Sequence, residues 1–150
     1  MATATFQVVD EWANYIHVSG GANGPDVDGD TFKAALCLTA PTKAGTQVIG
    51  DITQITNAGG YAVVSLSNVT FTETGAGTGV WEFTCDPFHW TASGADFDTA
   101  RYVVIYDDTA STPTKPVVGF ADYGASFTLS DGATFTVTPG ADGVYRTTVS

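Results

Sequence analysis

The chain has 150 residues, a formal net charge of −11 and a pI near 4.1. Its few cations, Lys33, Lys43, Arg101, Lys115 and Arg146, are scattered where a phosphate-binding face would cluster them, which excludes nucleic acid as a partner. Glu occurs only at Glu11, Glu73 and Glu82 and Leu only at Leu36, Leu38, Leu66 and Leu129, while Thr, Val, aromatics and Gly abound, so the prior is β.

In chain order, residues 1–31 read as an N-terminal arm and 32–150 as a β-sandwich domain, with a first strand pair inside 32–56. The arm carries Phe6, Trp12, Tyr15 and Ile16 at a spacing that suits either a short helix after Asp10 or two brief strands. It closes in the turn-rich Gly20-Gly21-Ala22-Asn23-Gly24-Pro25. From Phe32 the alternation is clean, with Phe32, Ala34, Leu36 and Leu38 on one face and Lys33, Ala35, Cys37 and Thr39 on the other. Strand-like pieces follow at 46–49, 61–66, 69–72 and 80–85, the last two joined by a Gly-rich hairpin loop at 75–79. Residues 101–106 are apolar on both faces, which predicts a central strand covered on two sides, and 117–123 is similar. The polar stretch Thr112–Pro116 links them. Near the end, Phe127–Leu129 and Thr134–Val137 flank Asp131-Gly132, a strong hairpin signal. A second turn at Ala141-Asp142-Gly143 leads into 144–149. About nine short strands at this spacing predict an all-β fold, an antiparallel, jelly-roll-like β-sandwich with an extended N-terminal arm.

Reactive constellations are scarce. The histidines are His17, in the arm, and His89, between Phe88 and Trp90, and no Gly-x-Ser-x-Gly elbow is present. Asp107-Asp108 follows a central strand into a Pro-rich loop, where Asp serves as a turn former. Asp26-Val27-Asp28-Gly29-Asp30 opens like a calcium loop. Thr31 then stands where the sharp turn needs Gly and Cys37 where a bidentate Glu should close the site, so a solvated turn is the expectation and no metal or cofactor is assigned. Cys37 and Cys85 are too few for a disulfide framework and read as buried thiols. No basic stretch with a following apolar run opens the chain, and nothing approaches the ~20 apolar residues that span a bilayer. The expectation is a soluble protein made in a cytoplasm, with no membrane partner.

Several segments occur in a telling order. Phe32-Lys33-Ala34-Ala35-Leu36 is followed by Ile52-Thr53-Gln54-Ile55, Gly59-Gly60-Tyr61 and Leu66–Thr70. Then come Trp81–Ala92, Ala100-Arg101-Tyr102-Val103-Val104-Ile105-Tyr106-Asp107-Asp108-Thr109 and Pro116-Val117-Val118-Gly119-Phe120-Ala121-Asp122-Tyr123-Gly124. This series, across roughly 32–149, resembles a family of small phage virion proteins found among head and tail structural proteins. The chain departs from that pattern in its longer N-terminal arm.

The resemblance implies a structural role, with no catalytic residues and no cofactor to carry over. The leading expectation is a capsid decoration (cement) protein on the exterior of a phage head. It would sit there as a trimer and brace contacts between major capsid proteins, with Phe6, Trp12, Tyr15 and Ile16 of the arm as the partner contacts. A tail, neck or head-fibre component is the second expectation. A carbohydrate-binding module using exposed aromatics such as Trp90 is the third, and an enzyme comes last.

Overall fold

The computed structural model describes residues 2–12, 26–27, 29–44 and 48–148. Its strands are β1 (Ala2–Ala4), β2 (Gln7–Val8), β3 (Phe32–Cys37), β4 (Val64–Ser65), β5 (Thr70–Glu73) and β6 (Val80–Thr84). They continue as β7 (Phe88–Thr91), β8 (Ala100–Asp107), β9 (Val117–Phe127), β10 (Thr134–Pro139) and β11 (Tyr145–Thr148). Among the described residues, helical geometry is limited to a turn at 10–12 and 3-10 turns at Ile49–Asp51 and Ala58–Gly60. The all-β expectation holds.

The strands form one five-stranded sheet, β2-β9-β8-β3-β4, and two three-stranded sheets, β1-β10-β7 and β11-β6-β5. Pairing is antiparallel apart from β1 with β10, which is parallel and breaks the all-antiparallel expectation. Phe32 and Leu36 of β3, Val103 and Ile105 of β8 and Val118 of β9 share one core with Phe83 of β6, Trp90 of β7, Val137 of β10 and Tyr145 of β11. One face of the large sheet therefore packs on both small ones, in a sandwich-like layering. Its other face carries Ala35, Cys37, Tyr102, Val104, Tyr106 and Val117, covered by Val9, Ile49 and Ile52. That second cover explains why β8 reads as apolar on both faces.

Where it is described, the stretch read as an arm is woven into the domain. β1 and β2 belong to two different sheets, and Gly119 makes the second pairing possible, because a Cβ there would lie 2.6 Å from the Gln7 carbonyl oxygen. Asp10 N–H donates to the Lys43 carbonyl at 2.9 Å, and Trp12 packs edge-on against Phe32 with ring centroids 6.1 Å apart.

The Gly-rich loop at 75–79 does join an antiparallel pair, β5 and β6, and the Glu73 carboxylate accepts the Gly77 and Gly79 amides across it. The Asp131-Gly132 hairpin does not form. The chain turns there, but the Gly132 amide donates to Ala92, the Asp131 side chain accepts from Gly94, and β10 pairs with β7. The turn thus carries the chain from one sheet to another. The first strand pair within 32–56 is reduced to one antiparallel bridge, Cys37 with Gln54, beside the Ile55 amide's bond to the Leu36 carbonyl, since β3 is flanked mainly by β4 and β8.

Candidate functional site

Three of the segments that carry the phage resemblance, those at 32–36, 100–109 and 116–124, supply β3, β8 and β9, the middle of the large sheet. Arg101 on β8 donates from Nε and Nη2 to the two carboxylate oxygens of Asp122 on β9, each at 2.8 Å. Asp122 also accepts the amide of Gly124, which sits at φ 91° in a turn conformation that glycine adopts freely. The bidentate Arg101 contact, with help from that amide, holds the Asp122 carboxyl down at about 2. These residues fasten two strands together.

At the far end of β8 the environment reverses. Asp107 is fully buried opposite Phe32, and its Oδ1 accepts the amides of Thr109 at 2.8 Å and Ala110 at 3.0 Å. Its Oδ2 is buried with no hydrogen-bond donor. Burial pushes the Asp107 carboxyl up, the two amides pull it back, and the facing Asp30 carboxyl pushes it up again, to about 7. Next to it, burial opposes the charge on Asp108, but Lys115 and Lys33, both 2.7 Å away, outweigh that and hold it below the usual carboxylate range.

The expected partner contacts separate into three outcomes. Trp12 is fully buried in the domain's own core, with its indole facing the buried Tyr145 hydroxyl, so it does not reach a neighbour. Phe6 is half-buried and lines a surface hollow of about 400 Å³ together with Val8, Asp142 and Arg146. Tyr15 and Ile16 lie outside the described residues.

A second hollow, of about 230 Å³, adjoins the first, since Ala4 and Thr5 line both. Tyr123 and Phe135 rim it. Tyr123 is 50% exposed and packs on Phe127 and Phe135 with centroids 4.9 and 5.6 Å apart, while Phe135 stacks on Trp90 beneath. This aromatic patch beside the N-terminal strand is the exposed feature that sequence reasoning missed. The available signal was the continuation of alternation past Tyr123 to Phe127, which was assigned to a hairpin instead.

Trp90 itself is buried on β7, and its indole N–H donates to the Ala62 carbonyl at 3.0 Å, so it offers no stacking face to a sugar. His89 points outward on the same strand. Both thiols are buried, which pushes Cys37 to about 11 and Cys85 to about 12. Among the described residues, no three His, Cys, Asp or Glu side chains group closely enough to hold a metal ion by themselves. No described helix is long and apolar enough to cross a membrane. Comparison with protein families, curated proteins and solved structures finds no match to this chain.

Proposed function

We propose that the chain is a structural virion protein of the capsid decoration type, a jelly-roll-like sandwich that sits on the exterior of a phage head and braces major capsid proteins. The reading rests on the ordered series from Phe32 to Gly124 that resembles phage virion proteins. One observation supports it above the others. Within that series Arg101 and Asp122 tie β8 to β9, Gly119 admits β2 against β9, and Asp107 holds the turn after β8, so the likeness lies in a scaffold.

The surface offered to the shell is the one that flanks Ala4–Thr5, with Phe6 on one side and Tyr123, Phe127 and Phe135 on the other. Tyr123 is exposed and the three phenylalanines half-buried, and aromatics at such positions supply the buried centre of protein interfaces, which typically take about 800 Å² from each partner. A net charge of −11 keeps free copies apart and favours a basic docking surface. Trimeric copies then add their contacts through avidity.

Rebinding tests this. Particles stripped of the chain are incubated with purified wild type or Tyr123→Ala, and copies per particle are counted. Wild type is expected to rebind across the shell and Tyr123→Ala to weaken by about tenfold or more, as removal of an interface anchor does. Equal rebinding would clear Tyr123 of the contact. A few copies at a single vertex would move the protein to the tail or neck.

A further inference from the structure

The sheet β11-β6-β5 ends in two unlike edges. β11 carries Arg146, which is held by Asp142 at 2.8 Å and reaches Glu82 at 3.6 Å. β5 carries no such guard. Residues 69–73 include no Lys, Arg or Pro and run in register with β6 without a bulge, whereas exposed edge strands are usually blunted by one of these devices. Among the described residues, β5 pairs with β6 alone.

The ladder dictates which backbone groups lie on the outer side of β5. Thr74 N–H donates to the Val80 carbonyl at 2.7 Å, and bonded pairs recur at every second residue of an antiparallel ladder, so Thr72 bonds Glu82 and Thr70 bonds Thr84. Phe83, opposite Phe71, gives its carbonyl to the Val144 amide on the far side at 2.8 Å. The amide and carbonyl of Phe71 therefore point away from β6, and those of Val69 and Glu73 share that direction. Such a row of open groups is satisfied by another extended strand.

The side chains decide which strand fits. Phe71 is half-buried and stacks on Trp81, itself 36% exposed, with centroids 5.5 Å apart, while Thr70 and Thr72 are exposed. A two-fold axis at Phe71 sets it against the partner's Phe71, Thr70 against the partner's Thr72, and Val69 against the partner's Glu73. Aromatic pairs and threonine pairs across strands both stabilise a sheet. Glu73, the one charged residue in 69–73, falls at the two ends of this pairing, and its carboxylate already accepts the Gly77 and Gly79 amides.

We propose that β5 pairs antiparallel with β5 of a second copy, joining two three-stranded sheets into one of six strands. The segment is far smaller than the roughly 20–30 residues a side of a standard interface, and the net charge of −11 opposes association. The dimer is therefore weak and strengthens with salt. β5 belongs to a different sheet from Tyr123, Phe127 and Phe135, so the pairing is independent of the shell contact.

The test is sedimentation equilibrium of the full chain from about 1 μM to 1 mM, for wild type, Thr70→Lys/Thr72→Lys and Thr70→Glu/Thr72→Lys. Both positions are exposed, so the substitutions spare the monomer's core. Wild type is expected to dimerise within that range. The paired lysines set like charges against one another across the two-fold and should weaken the dimer by about tenfold or more, even though they reduce the net charge. The Glu–Lys variant sets opposite charges together and should restore it. A wild type that stays monomeric throughout, or equal association of all three proteins, would overturn the proposal. So would a Glu–Lys variant as weak as the Lys–Lys one.

Discussion

Asp122 and Asp107 stand near opposite ends of the β8–β9 strand pair, and their surroundings drive them in opposite directions. Asp122 is exposed and faces a guanidinium, so it keeps its charge well into acid. Asp107 is buried and faces another carboxyl, so it holds its proton to near neutrality. The same side chain is thus a charged clasp at one end and a buried, protonated group at the other, and burial with the identity of the nearest charge decides which.

The sign of each pH effect follows. The Asp122 carboxyl is lowered to about 2, so its contribution is present above the ordinary carboxylate range and is lost as pH falls through about 2. The Asp107 carboxyl is raised to about 7, so the stability it lends is full below about pH 4 and is lost as pH rises to about 7.

The largest expected effect lies at the buried end. Trp12 packs on Phe32, which pairs with Asp107, and Trp12→Ala should cost about 3–5 kcal/mol in urea unfolding. A cost under about 1 kcal/mol would show that the N-terminal segment is not anchored there. Next, Asp107→Asn should stabilise by about 1–4 kcal/mol at pH 8 and make no difference near pH 4. An unchanged profile between wild type and variant would remove Asp107 as the source of the pH dependence. Lys33→Met leaves Asp108 with Lys115 and should cost only about 0.5–1 kcal/mol. Smallest is Arg101→Ala at the exposed end, whose destabilisation should fade toward about 1 M salt, where the screening length is about 3 Å. Persistence at high salt would mean that the pair is protected from solvent after all.

Much of the fold was legible because its signals are local. The two-sided apolarity of residues 101–106 announces a strand covered on both faces, and the Gly-rich loop at 75–79 announces the β5–β6 hairpin. What failed is what depends on partners far along the chain. Asp131-Gly132 makes a turn in either case, but the choice between β9 and β7 as partner for β10 is set by the Ala92 and Gly94 bonds. β7 has a strand's alternation, with Phe88 and Trp90 buried and His89 and Thr91 exposed, but at four residues it is too short for that pattern to stand out in the sequence.

The candidate site was less readable for the same reason. Trp12 and Phe6 look alike in sequence, yet a three-dimensional core claims one and leaves the other at the surface. Asp107 was visible as a turn former, and that part holds through its Thr109 and Ala110 bonds. Its second oxygen faces Asp30, which is 77 residues away by the numbering and so outside any local motif.

The most direct measurement is a copy count of this chain in intact particles by cryo-electron microscopy with icosahedral averaging. Ordered copies across the outside of the head are expected, with Phe6 and Tyr123 turned toward the capsid. Particles that lack the chain altogether would contradict a virion role and leave only the fold standing.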